Sequence, residues 1–201
     1  SPGDLHKNLS QYEAFLEKKT TILATTKYEV YATVGHDTTE LNAVLRKLYR
    51  QISHYAAPSY HMQKLKQVLE DSMYRQNPDL QSMADAVQEF QHLSREDLDT
   101  INSHLRRGID WLEERAHSAR GNYSQIYTCA RDDLVQYQKG INDSFRKLNN
   151  LLNDFKTQGR PPYQDHKSLI STYDSLNELP RFVIPDGTNS PHSNLRTPIR
   201  R

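Results

Sequence analysis

Apolar residues recur every seventh position at Leu134, Ile141, Leu148 and Phe155, with Tyr137, Phe145, Leu151 and Leu152 between them. The rest of the window, from Gln136 and Gln138 to Asn149 and Asn150, is polar. This spacing predicts a long helix with a single apolar seam, and such a seam needs partner helices to cover it. Leu98, Leu105, Leu112, Ala119 and Ile126 stay in phase upstream. Gly121-Asn122 is a C-cap signal that predicts an antiparallel hairpin, although the same phase also allows one bent rod. At ~1.5 Å per residue the longer arm would reach roughly 50 Å.

The other segments read as the partners. Residues 4–34 follow helical spacing through Leu5, Leu9, Tyr12 and Leu16 to Val30. Thr20, Thr21, Thr25 and Thr26 weaken the helix there and admit a kink, because β-branched residues lose side-chain freedom in a helix. Asp37 and Glu40 form a capping-box pattern ahead of the stripe Leu41, Val44, Leu45, Leu48, Ile52 and Tyr55, which predicts a helix over 38–55. Pro58 restarts the chain for a helix to about Arg75, and Asn77-Pro78 breaks it. Leu80, Met83, Val87 and Phe90 mark a short fourth helix. Ser94-Arg-Glu-Asp97 reads as the cap of the next one. The expected division is therefore N-terminal helices over 4–93, a hairpin over 94–157, a brief helix over 167–179 and an extended tail over 180–201. The fold class is all-α: an elongated, coiled-coil-like bundle of about six helices.

Composition changes this picture little. Hydrophobic residues make up 35% of the 201, a lean share that suits helical layers better than a compact α/β enzyme. The net charge of +1 gives no bulk argument for nucleic acid. No apolar run is long enough to span a membrane and no signal-peptide pattern opens the chain. With the single Cys, this favours an intracellular setting. Over four residues, Trp111-Leu112-Glu113-Glu114 resembles spectrin-type three-helix repeats, a match too short to name a family.

Candidate chemistry is sparse. Two Glu-x-x-His pairs, Glu89 with His92 and Glu114 with His117, have the spacing used by di-iron bundles. The helical wheel turns both outward, as His92 lies about 180° from Met83 and Glu114 about 160° from Leu112. His54 and His61 flank Pro58 as a loop-edge pair. Cys129 has no base nearby in sequence and reads as an inert thiol. Arg106, Arg107, Arg115 and Arg120 share their helix with Asp110, Glu113 and Glu114, so a salt-bridged wet face is the simpler reading. No catalytic, cofactor or metal residue is assigned.

Twelve Tyr are the one compositional oddity, and interfaces are enriched in Tyr. In the tail, Phe182-Val183-Ile184 sits between prolines as a short strand-former that docks on its own domain or on a partner's groove or sheet edge. Four Arg against Asp186 give residues 180–201 a charge of +3. The expectation is a non-enzymatic adaptor, scaffold or structural subunit that binds protein partners or itself. The residues expected to carry it are Phe182, Val183, Ile184, Arg196, Arg200 and Arg201 in the tail, with Tyr137 and Phe145 on a seam left partly uncovered. A nucleic-acid-associated or virion protein is the alternative, through the basic tail. A metal protein or enzyme whose site is assembled from distant residues is a further one.

Overall fold

The computed structural model describes residues 4–57, 59–74 and 79–158. The helix expected over 167–179, the tail over 180–201, Pro58 and the Asn77-Pro78 break lie outside them. The described residues are all-α, with no strand among them. The order is α1 (Asp4–Glu17), α2 (Lys19–Ile22), a 3-10 turn (Thr25–Tyr28), α3 (Glu29–Thr33), α4 (Thr39–Ala56), α5 (Tyr60–Tyr74), α6 (Leu80–Ser118) and α7 (Asn122–Gln158). Five of these helices have fourteen residues or more, against the six or so expected.

The difference lies at residue 94. The hairpin's first arm begins at Leu80, and helix α6 runs through the expected Ser94–Asp97 cap without a break. Its real N-cap is Asp79, whose Oδ1 accepts from the backbone N–H groups of Gln81 and Ser82 at 3.1 and 3.2 Å. Ser94 and Asp97 fall on the same stripe as Phe90, Leu98 and Ile101, and packing carries both into the core. The first segment breaks where the threonines predicted weakness. It is helical to Glu17, then proceeds in short turns.

Gly121 has φ +64 and makes the turn between α6 and α7, so these helices form an antiparallel hairpin and not a bent rod. Ser124 Oγ donates to the Ala116 carbonyl across that turn at 2.6 Å. Helix α1 lies antiparallel to α7. Tyr12 packs on Phe145 with ring centroids 5.3 Å apart, and Tyr137 Oη donates to the Leu16 carbonyl at 3.1 Å. Between those contacts the Phe15 ring rests on Gly140. A Cβ there would meet the ring at 2.6 Å, so a residue that weakens a helix is kept for close approach. The chain then continues along α7: Tyr28 Oη donates to Asp133 Oδ2 at 2.6 Å, and the His36 ring meets Tyr123 edge-on at 4.8 Å. Burial and then the Asp133 hydrogen bond raise the Tyr28 pKa.

Helices α4 and α5 follow one another along α6, both antiparallel to it. Glu40 pairs with Arg115, Leu48 packs against Gly108, and Lys64 pairs with Glu89 at 2.8 Å. Asp37 Oδ1 accepts from the Thr39 N–H at 3.0 Å, but Glu40 turns to Arg115 and does not close the expected box. Neighbouring segments thus alternate in direction, with one continuous core that takes residues from α1, α4, α5, α6 and α7.

Candidate functional site

The seam of α7 is covered from within. Tyr137 and Phe145 are each 1% exposed, one hydrogen-bonded to α1 and the other against Tyr12. Neither offers a surface to a partner. The expectation that they do is corrected by the pairing of α1 with α7. Phe182, Val183, Ile184, Arg196, Arg200 and Arg201 lie outside the described residues.

The Glu-x-x-His pairs sit where the wheel placed them. Glu89 reaches across to Lys64, and His92 is exposed beside Glu96 at 3.2 Å. Glu114 and His117 are both exposed. No group of three or more His, Cys, Asp or Glu suited to a metal ion occurs among the described residues. None of the described helices is long and apolar enough to cross a membrane. Cys129 is partly buried.

His54 and His61 part company: His54 is exposed, whereas His61 is 2% exposed and faces α6. Its Nε2 lies 2.9 Å from Ser59 Oγ and 3.6 Å from Asp97 Oδ2. The first is a hydrogen bond, and the second is close enough for attraction but too long for one. Ser, His and Asp together invite a test for nucleophilic catalysis. That chemistry needs the acid on one ring nitrogen and the hydroxyl on the other. Here both approach Nε2, and Ser59 and Asp97 are only 6% and 7% exposed. Ser59 is also occupied, since its Oγ accepts from the Met62 N–H at 3.3 Å at the start of α5. The cluster fixes the beginning of α5 against the middle of α6. Beside it, Glu13 of α1 is buried and pairs with Lys66 of α5. The Tyr12 hydroxyl is held neutral, its pKa raised by burial and then by Asp97. Asp97 was legible only as a cap; its place on the apolar stripe was the signal that it belonged to the core.

A concave surface among the described residues lies elsewhere, on the outer side of the α6–α7 pair. A shallow groove of about 310 Å³ is lined by Gln88, Gln91, His92 and Arg95 of α6 and by Asn149, Asn153 and Lys156 of α7. Gln91 Nε2 donates to Asn149 Oδ1 at 3.0 Å and to Asn153 Oδ1 at 2.8 Å. Lys156 Nζ donates to Gln91 Oε1 at 3.0 Å. The Arg95 guanidinium lies over the Phe145 ring, 4.8 Å from its centroid. Farther along, Asn102 and Asn142 exchange two hydrogen bonds of 2.9 and 3.0 Å, and Gln138 joins them at 3.2 Å. From sequence the α7 window reads only as polar, which gives these amides no role. The available signal was the run of Asn and Gln, in place of charges, on facing flanks of both arms.

No family model, curated protein or solved structure matches this chain.

Proposed function

We propose that this chain is a non-enzymatic protein–protein interaction module: an adaptor, scaffold or structural subunit built on an elongated helical bundle. The observation that carries the reading is the outer side of the α6–α7 hairpin. Its groove is lined by those two helices alone, while the opposite side of the same helices is filled by the chain's own core. At ~1.5 Å per residue, the 39 residues of α6 make a platform roughly 58 Å long. Val135 is an exposed apolar residue on α7, the arrangement of an anchor among polar contacts. Phe182-Val183-Ile184 and Arg196, Arg200 and Arg201 are proposed as a second contact.

Cross-linking of the tagged protein in its native cells, read by mass spectrometry, tests the reading. The expected result is a reproducible set of cross-links from Lys139 and Lys156 of α7 to one other protein or to a second copy, lost on Val135→Asp. A monomer that yields no intermolecular cross-link at these lysines would overturn it.

A further inference from the structure

The groove has a direction, and Lys156 sets it. An ammonium can only donate hydrogen bonds. Because Lys156 Nζ donates to Gln91 Oε1, the amide nitrogen of Gln91 is the end left for Asn149 and Asn153. Both asparagines then spend their carbonyl oxygens on Gln91. Their Nδ2 amino groups have no hydrogen bond among the described residues. Arg95 stands beside them with no carboxylate at ion-pair distance among those residues. The neighbouring acid, Glu96, is paired with His92, and no residue lining the groove is acidic. The acceptors of Gln91, Asn149 and Asn153 are therefore spent within the row, while the unspent donors of both asparagines stand beside two full positive charges.

Such a surface selects acceptor-rich anions, and its spacing selects further. Gln91, which holds Lys156, and Arg95 are four residues apart on α6, or ~6 Å along the axis. Side chains two residues apart on an extended strand share a side and are separated by ~6.6 Å. We propose that the groove binds an extended acidic segment of a protein partner through two carboxylates in a Glu-x-Glu arrangement. One carboxylate sits on Arg95 and Asn149, and the other on Lys156 and Asn153. Arg and amide donors suit a planar carboxylate, with charge-assisted hydrogen bonds at both ends. This assignment rests on the interaction-module reading and names the partner chemistry of the same surface.

The test uses the whole chain and three probes: a synthetic Gly-Glu-Ser-Glu-Gly peptide, its Gln-Ser-Gln counterpart and inorganic phosphate. NMR follows the side-chain NH2 signals of Asn149 and Asn153. The Glu peptide is expected to shift both signals, with binding that weakens as salt is raised, and the Gln peptide to leave them in place. Arg95→Gln, Lys156→Gln and Asn153→Asp should each weaken the Glu peptide by about tenfold or more. Asn153 is exposed, so its variant keeps the test valid if the Arg95 change disturbs the Phe145 contact. Signals unmoved by the Glu peptide, equal binding by all three variants, or phosphate binding without peptide binding would each overturn the proposal. If the Glu peptide fails while cross-links from Lys139 and Lys156 persist, the acidic ligand is wrong and the interaction module stands. If the cross-links fail as well, both fall.

Discussion

Helices α6 and α7 meet along two seams of opposite character. On the core side Leu98, Ile101 and Leu105 face Leu134, Ile141 and Leu148, none more than 1% exposed. On the outer side the contacts are Gln91 with Asn149 and Asn153, and Asn102 with Asn142 and Gln138. Burying a leucine or isoleucine contributes about 1.5–3 kcal/mol, but the attraction has no direction. The apolar positions also repeat every seventh residue on both arms, so a slip of one heptad would keep much of that seam. The amide pairs would not both survive the slip: Asn142 and Asn149 are also seven apart, but Gln91 and Asn102 are eleven apart, so at most one of them would find an amide opposite. The core side holds the helices together, and the outer side helps to fix where along each other they stop.

The sharpest way to break this division is to damage the core side. Ile141→Ala should lose about 4 kcal/mol of unfolding free energy in a urea titration, the transfer loss plus a cavity. Asp97→Ala, which removes the buried acid beside His61, should lose about 3 kcal/mol by the same measurement. Acid provides a milder probe of the core side. Burial lowers the His6 pKa from 6.5 to about 4. The folded protein thus resists the proton that the unfolded chain accepts. The stability linked to His6 is complete above pH 6.5 and is lost as the pH falls from 6.5 towards 4. Thermal melts across that range should show the slope, and His6→Gln should flatten it. On the outer side, Asn102→Ala should cost only about 1 kcal/mol. Ser94→Ala should be the smallest change and of opposite sign, a gain of about 0.5 kcal/mol. The Ser94 hydroxyl is buried without a hydrogen-bond partner among the described residues, and Ala favours the helix.

The all-α class and the hairpin were readable because period and turn chemistry are local. The stripe from Leu41 to Ile52 and the Gly121 turn needed nothing beyond their own neighbours. Ser94-Arg-Glu-Asp97 misled for the same reason. Its capping chemistry is sound, but the core it enters comes from His61 and Tyr12, which are distant in sequence. Tyr137 and Phe145 were read as available because periodicity shows that a helix has a greasy face and does not say what lies on it. Their cover comes from α1, with Leu16 lying 121 positions from Tyr137. The groove was half legible: its amides stood in plain sight, but their orientation follows from a lysine on the other arm.

That lysine has leverage out of proportion to its size. An acyl group on Lys156 would remove its charge, while the amide N–H left on Nζ would still suit Gln91 Oε1. One reversible modification at a single nitrogen would leave Arg95 as the one full positive charge among the residues lining the strip, and so weaken its pull on acids without reversing it.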